Sequence, residues 1–205
     1  MKKFAAVLLA GGRSTRMGMN KALIDWNGTP LWRFQMDKLL NLRPKELFFA
    51  IQPTMNFPAG PWSFVYDRSP DIGPLGGLDA TLRPMHADFL VTLAVDMPAM
   101  TTEFLSSLLE KAGPAGVAPH LDGFYQGASA VYPANILPLV EQVLASDDRS
   151  FQNLICQALR TGLMDELEIE PARRELFENW NLPNDVKARS GATVTAPIDL
   201  GWARS

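Results

Sequence analysis

Residues 4–21 read FAAVLLAGGRSTRMGMNK, in which an unbroken apolar run from Phe4 to Ala10 ends at two glycines. A run of this kind predicts a β-strand that is buried on both faces, as strands are in parallel sheets. The run is too short to cross a membrane. The segment therefore predicts the first core strand of an α/β domain, followed by a tight glycine-containing loop.

Strand-like and helix-like patterns alternate along the rest of the chain. Apolar runs predict strands at Glu46–Ile51, Ser63–Tyr66 and Asp88–Val95, and a β-rich stretch at Gly116–Tyr132 that turns at Asp122–Gly123. Helical spacing predicts helices after Pro30, at Leu75–Arg83, after Thr101 or Thr102, around Ile136–Leu144 and after Ser150. Late strands are predicted at Leu167–Glu170 and Leu176–Asn181. This alternation predicts a three-layer α/β fold, in which a mostly parallel twisted sheet carries helices on both faces.

The periodic pattern weakens after Val186. We therefore expect one domain over residues 1–186 and a C-terminal tail of unknown role over residues 187–205.

Composition and charge restrict the class of function. Hydrophobic residues make up 47% of the 205 residues and charged residues 20%, which is typical of a globular protein. The formal net charge is −3 and no basic run stands out, which disfavours binding to nucleic acid. The single cysteine, Cys156, excludes an internal disulfide and a cysteine metal cluster. No segment reaches membrane-spanning length, so we expect no membrane partner and a cytoplasmic location.

Polar or glycine residues follow four of the predicted strands: Gly11, Gln52, Asp67 and Asp96. In open α/β sheets, ligands bind beyond the C-terminal ends of the strands. The sequence therefore predicts a binding site in which these four residues lie along one rim.

The glycine-rich segment has the chemistry of a phosphate-binding loop. Gly11 and Gly12 allow a sharp turn and close approach to a ligand, and successive N–H groups over Gly11–Arg13 can form an anion nest. Arg16 and Lys21 add positive charge within reach of phosphates. A P-loop is excluded because Met19, not lysine, follows Gly18, and the dinucleotide fingerprint is also absent. A plain tight turn after a strand remains the alternative.

The pattern L-A-G-G-x-S-x-R-M-G-x-x-K over Leu9–Lys21, followed by Asn27–Leu31, resembles the N-terminal signature of the α/β nucleotidyltransferase superfamily. Within it, the chain most resembles the molybdenum cofactor guanylyltransferases, over about residues 4–186. The resemblance implies a Rossmann-like nucleotidyltransferase fold. It also implies an enzyme that transfers GMP from GTP to the phosphate of molybdopterin, with or without molybdenum, and releases pyrophosphate.

The resemblance further implies roles for individual residues. Ala94–Pro98 is similar to a strand-Asp-x-Pro motif, in which Asp96 holds the Mg²⁺ cofactor, because Mg²⁺ prefers oxygen ligands. Catalysis is implied for Lys21, Arg16 and Asp96. Nucleotide binding is implied for Leu9, Ala10, Gly11, Gly12, Arg13, Lys21, Asp67, Gly76, Gly77 and Asp96.

An acceptor site is implied near the C-terminus. The segment Glu178–Asp185 resembles an N-x-N-T-P-x-D motif, with Leu182 in place of the threonine. Asn179 and Asn181 keep the spacing of that motif, and their amides can donate to and accept from a pterin phosphate or a metal-bound water. A polar turn is the alternative. His86 and His120 have no ligand types at metal spacing, so we expect them on the surface or in loops.

Several functions stay open on the sequence. The same chemistry with another substrate gives a cytidylyltransferase of the same cofactor or a sugar-phosphate nucleotidyltransferase. A different class is a non-catalytic nucleotide-binding adaptor in cofactor delivery, although an adaptor needs no metal-binding Asp96. The expected partners are GTP, a molybdopterin acceptor, and other cofactor-biosynthesis proteins or molybdoenzyme chaperones.

Overall fold

The computed structural model describes residues 2–11, 21–67 and 73–179. The strands are β1 (Phe4–Leu9), β2 (Asp25–Trp26), β3 (Thr29–Pro30), β4 (Glu46–Ile51), β5 (Ser63–Tyr66), β6 (Phe89–Ala94), β7 (Gly116–Leu121), β8 (Phe124–Tyr125), β9 (Val131–Pro133) and β10 (Met164–Glu168). The α-helices are α1 (Leu31–Asn41), α2 (Pro74–Leu82), α3 (Thr102–Lys111), α4 (Leu137–Leu144) and α5 (Phe151–Arg160). Short 3₁₀ helices lie at Lys21–Leu23, Gly127–Ser129, Ala134–Ile136 and Pro171–Phe177.

One mixed sheet forms the middle layer. Its strands pair in the order β10-β7-β9-β6-β1-β4-β5, and β8 pairs with β7. Only β9 and β8 run antiparallel to their neighbours among the strands of this sheet that the structure describes. The predicted mostly parallel sheet is therefore confirmed. Because β1, β4, β5 and β6 are parallel neighbours, their C-terminal ends lie at the same edge.

The central strand β1 separates two apolar layers. Ala6 and Leu8 join a core cluster that contains residues of α1 and α3, whereas Ala5 and Val7 join a second cluster with residues of α2, α4 and α5. Alternate residues of a strand point to opposite faces, so a strand between two helix layers must be apolar at every position. All of β1 is buried accordingly. Replacing Leu8 by alanine would cost about 2–5 kcal/mol of stability.

Local signals in the sequence set several of the boundaries. Thr101 caps α3 by accepting a hydrogen bond from the Phe104 N–H at 3.2 Å, and Ser150 caps α5 through the Asn153 N–H at 3.1 Å. Asp122 and Gly123 both have positive φ, as the two-residue turn between β7 and β8 requires. These predicted helix starts and this turn are confirmed.

The end of the described chain differs from the prediction. The strand predicted at Leu167–Glu170 begins three residues earlier, as β10, and the strand predicted at Leu176–Asn181 is not formed over residues 176–179, the part of it that the structure describes. A 3₁₀ helix covers Pro171–Phe177 instead. The ring of Phe177 packs edge-on against Phe104 of α3, with centroids 5.4 Å apart. Phe177 of this segment therefore packs on the core from a 3₁₀ helix and not from a strand.

Among the described residues, no helix is both long and apolar enough to cross a membrane. The predicted tail over residues 187–205 lies outside the described residues, so the domain boundary stays a prediction.

Gly116, at the start of β7, gives a test of the packing between β7 and β9. A Cβ atom there would overlap the carbonyl oxygen of Val131 and lie 2.7 Å from Cδ of Pro133. We expect Gly116→Ala to lower the free energy of unfolding by roughly 1–3 kcal/mol, because the backbone must shift to admit the methyl group. Urea unfolding measures the change.

Gly113→Ala is the matched control for this variant, because a Cβ on Gly113 meets no atom within 4 Å. Its effect should stay within about 0.5 kcal/mol. Equal stabilities of the two variants would contradict the packing seen at the start of β7.

Candidate active site

The four rim residues predicted from the sequence lie where adjacent strands end. Gly11 follows β1, Gln52 follows β4, Asp67 follows β5 and Asp96 follows β6. The side-chain amide of Gln52 donates a hydrogen bond to the carbonyl oxygen of Gly11 at 2.8 Å. The structure thus joins the ends of β1 and β4 through a side chain at the rim.

A cavity of about 290 Å³ opens at this rim. Residues that the sequence singled out for nucleotide, metal or acceptor binding line it: Leu9, Ala10, Gly11, Lys21, Asp67, Gly77, Asp96 and Asn179. Its volume is at the lower end of the range for small-molecule sites. Gly76 is beside the cavity, where its backbone packs against the carboxylate of Asp67.

Lys21 and Asp96 face each other in the cavity. Lys21 Nζ lies 3.5 Å from Asp96 Oδ2, and the two side chains are 22% and 24% exposed. Lys21 begins the short 3₁₀ helix, and Ile24, just after it, accepts a hydrogen bond from the N–H of Leu31 at the start of α1. Partial burial lowers the effective dielectric, so this pair interacts more strongly than an exposed one. An anionic ligand entering here meets a cation and a carboxylate side by side.

Asp67 holds a carboxylate in an unusually restricted place. Its Oδ1 is buried and has no hydrogen-bond partner among the described residues. A Cβ atom on Gly11 would lie 3.2 Å from Oδ2, and one on Gly76 would lie 3.2 Å from Oδ1. Burial raises the pKa of Asp67 from its ordinary 3.8 to about 6. The missing side chains at these glycines make room for the carboxylate, whose Oδ1 finds no donor among the described residues and can be satisfied by a ligand, a metal ion or water.

The residues present fit a hard divalent cation. Asp96 and Asp67 place two carboxylates on one cavity, and the buried Oδ1 of Asp67 has no hydrogen-bond donor within the part of the chain that the structure describes. Mg²⁺ takes oxygen ligands and is bound through one or two carboxylates together with substrate phosphates and water. Asp96 is an accessible candidate ligand, because its side chain is partly exposed beside Lys21.

Several predicted site residues lie outside the described residues: Gly12, Arg13, Arg16 and Asn181. Their roles therefore stay predictions. The geometry on the described side of the loop comes from Leu9–Gly11 and Lys21 alone.

His120 is at the protein surface, as expected, but it has acidic neighbours of the ligand type that the sequence spacing did not show. This residue lies on β7, not in a loop, and its Nδ1 is 2.6 Å from Glu168 Oε2 and 3.9 Å from Glu166 Oε1 on β10. The hydrogen bond to Glu168 raises the pKa of His120. The pairing of β7 with β10 brings these groups together across 48 residues of sequence, and no spacing pattern reports it. His86 is exposed, as expected.

Sequence reasoning missed two small residues of the cavity wall, Ala22 and Ala50. Alanine carries no chemical group, so no motif identified them. Ala50 lies opposite Gly77 of α2, and a Cβ atom on Gly77 would be 3.1 Å from the Ala50 Cβ. The small residues at positions 50 and 77 let α2 approach the sheet closely.

A family model described as the MobA-like NTP transferase domain matches residues 6–161. A probable molybdenum cofactor guanylyltransferase of Opitutus terrae is 30% identical over 186 residues, which cover 88% of this chain and 92% of that protein. The molybdenum cofactor guanylyltransferase of a Pseudomonas putida strain is 33% identical over 181 residues, covering 86% and 92%. The crystal structure of molybdopterin-guanine dinucleotide biosynthesis protein A from Archaeoglobus fulgidus superposes with a TM-score of 0.68 at 23% identity, covering 90% and 95%. That structural likeness supports the fold.

The buried carboxylate of Asp67 predicts a pH-dependent stability. Because its pKa is about 6 when folded and 3.8 otherwise, the folded chain binds more protons between these values. Its contribution to the free energy of unfolding therefore falls as the pH rises from about 4 to about 6. We expect Asp67→Asn to be more stabilising at pH 7.5 than at pH 4, by on the order of 1 kcal/mol after allowance for partial exposure. Urea unfolding at both pH values measures this, and a pH-independent difference would contradict the burial of the charge.

Proposed function

The chain belongs to the MobA-like NTP transferase family, and we propose from this premise that it transfers GMP from GTP to the phosphate of molybdopterin and releases pyrophosphate. The observation that carries the proposal is the facing pair of Lys21 and Asp96, 3.5 Å apart in a cavity at the strand ends. The guanylyltransferase names of relatives at 30% and 33% identity support GTP and molybdopterin as the substrates.

The reaction needs no protein nucleophile. An oxygen of the molybdopterin phosphate, already anionic, attacks the α-phosphorus of GTP, and the bond to the β-phosphate oxygen breaks as pyrophosphate leaves. Catalysis of phosphoryl-type transfer is mostly a matter of positioning and charge neutralisation. A cavity that offers an ammonium group and carboxylates, with a glycine at the strand end for close backbone approach, suits that task.

Lys21 and Asp96 have separate tasks in this proposal. Lys21 neutralises charge on the triphosphate and on the departing pyrophosphate, and Asp96 holds Mg²⁺. When bound, Mg²⁺ supplies a positive charge that offsets negative charge on the phosphate oxygens. The 3.5 Å between Lys21 Nζ and Asp96 Oδ2 leaves the ammonium group close enough to reach the same phosphates. Arg16 and the N–H groups of Gly11–Arg13 are predicted to hold further phosphate oxygens.

Asp67 belongs to the nucleoside end of the proposed substrate. Its buried Oδ1 can accept a hydrogen bond from a ribose hydroxyl or a base amino group, which satisfies an atom that has no partner in the described protein. Gly76 and Gly77 let the backbone of α2 line the same end closely.

The acceptor is proposed to bind next to the triphosphate. Asn179 lines the same cavity as Lys21 and Asp96, which supports the predicted role of Asn179 and Asn181 in holding the molybdopterin phosphate. The domain of residues 1–186, the cytoplasmic location and the delivery partners stay predictions.

Lys21→Ala and Asp96→Ala should each lower the rate of pyrophosphate release from GTP and molybdopterin by about 100-fold or more. Neither side chain is part of the apolar core, so both variants should keep the folded far-UV circular dichroism spectrum. Asp37→Ala is the matched control, because Asp37 pairs with Arg33 on the exposed side of α1. A full-rate Asp96→Ala enzyme would reject the metal assignment.

The choice of nucleotide is tested with GTP, CTP and ATP in turn, each with Mg²⁺ or with a chelator in place of the metal ion. Pyrophosphate release with a molybdopterin acceptor should be fastest with GTP and should need Mg²⁺. Preference for CTP would make the protein a cytidylyltransferase. Nucleotide binding without pyrophosphate release from any triphosphate would support the non-catalytic adaptor.

A further inference from the structure

Gln35 of α1 is a polar residue inside the apolar core. Its side chain is fully buried, and its amide Nε2 donates to the carbonyl oxygens of Met97 at 2.8 Å and Ala94 at 3.1 Å, and more weakly to that of Val95 at 3.5 Å. A buried amide is retained in a core only where it makes such bonds. These carbonyls surround Asp96 in the sequence, so one side chain contacts the turn that carries the proposed metal ligand on both sides.

These bonds hold a turn that has left the sheet. β6 ends at Ala94, the Val95 N–H makes one more bond to Leu9 O at 3.0 Å, and beyond it no described strand pairs with the backbone of the turn. The bond from the Met97 N–H to Ala94 O inside the turn is long, at 3.4 Å. The Met97 carbonyl oxygen also accepts a bond from the Met100 N–H at 3.1 Å, so among the described residues the backbone bonds of the turn beyond Val95 are all local. Gln35 adds a donor from the adjacent helix and thereby ties these carbonyls to α1.

Lys38, one turn later on α1, extends the same set of bonds. Its Nζ donates to Gln35 Oε1 at 2.7 Å and to Pro98 O at 2.6 Å, and lies 4.2 Å from the ring centroid of Phe34. Burial lowers the pKa of Lys38 to about 8, so this ammonium occupies an unfavourable place for a charge. The two donors together bind the carbonyls of residues 94, 95, 97 and 98.

The same helix also holds the other half of the site. The N–H of Leu31, the first residue of α1, donates to Ile24 O at 2.8 Å, directly after the 3₁₀ helix that begins with Lys21. Helix α1 is therefore a common base for the segment of Lys21 and the turn of Asp96. Apolar packing fixes mainly how close a turn lies to the helix. Hydrogen bonds are directional, so they also fix how the turn is oriented.

We propose that Gln35 and Lys38 are positioning residues, which orient the turn of residues 94–98 so that the Asp96 carboxylate faces Lys21 and the bound metal ion. This inference rests on the proposed function, because it takes Asp96 as the metal ligand. Residues that orient a metal ligand from behind affect metal affinity by about 10- to 100-fold when they are changed. The effect of Gln35 and Lys38 should therefore appear in the dependence on Mg²⁺.

The test measures GTP binding by calorimetry with and without Mg²⁺, alongside the Mg²⁺ dependence of pyrophosphate release. Gln35→Met keeps the length of the side chain but removes its donor and acceptor. We expect it to raise the Mg²⁺ concentration for half-maximal rate by about 10-fold or more, and to remove most of the Mg²⁺-dependent gain in GTP affinity. Lys38→Met should have a smaller effect in the same direction, because the bonds of Gln35 remain.

Leu39→Ala is the matched control for loss of stability. Leu39 is fully buried in the apolar core on the same helix, and its side chain has no polar atom. This variant therefore weakens the fold without removing a hydrogen bond to residues 94–98. We expect it to melt at least as early as Gln35→Met and to keep the Mg²⁺ dependence of the natural sequence. If Gln35→Met does not fold, Lys38→Met, whose side chain is less buried, carries the test.

The outcomes separate the inference from the function on which it rests. If Mg²⁺ leaves the GTP affinity unchanged both in the natural sequence and in Asp96→Ala, the metal assignment fails and the positioning role fails with it. If Asp96→Ala loses the Mg²⁺ effect while Gln35→Met and Lys38→Met retain it, the function stands and the positioning role is overturned. A Leu39→Ala variant with the same shift in Mg²⁺ dependence as Gln35→Met would also overturn it.

Discussion

The parallel pairing of β1 with both β4 and β6 is the constraint on which the rest of the structure depends. Leu9, the last residue of β1, is level with Ala50 on β4 and with Ala94 on β6. The three strands thus end together, and the residues that follow them meet at one edge. Helices cover both faces, so these strands are mainly apolar, with Thr92 of β6 as a buried polar residue that is hydrogen-bonded, and charged groups gather at the strand ends. The cavity forms where this apolar core stops.

The site combines charges that the fold alone leaves incompletely satisfied. Lys21 and Asp96 offset each other, whereas the buried Oδ1 of Asp67 has no donor among the described residues, and burial raises the pKa of this carboxyl group. A ligand with hydroxyl or amino donors and a bound cation would satisfy the groups that the described residues leave without a partner. Functional sites commonly retain such locally unfavourable groups at a cost in stability.

The parts of the fold that follow from unbroken apolar runs and capping residues could be predicted from the sequence. The β1 run, the Thr101 and Ser150 caps and the turn at Asp122–Gly123 depend on neighbours only a few residues away. The strand predicted at Leu176–Asn181 is wrong over residues 176–179, because the apolar residues there have no period of their own. Phe177 packs against Phe104 of α3, a contact that local sequence cannot report.

The sequence by itself determined the glycine-rich motif, the acidic residues at the strand ends and the family of the chain, because motif chemistry and periodicity are local properties. Only the tertiary structure decided that Lys21 reaches Asp96, that Asp67 lies against Gly11 and Gly76, and that Gln35 supports the Asp96 turn. Gln35 and Ala94 are 59 residues apart. A buried glutamine in a helix pattern shows which face it occupies, but the partner on that face is set by how the helix packs against the sheet.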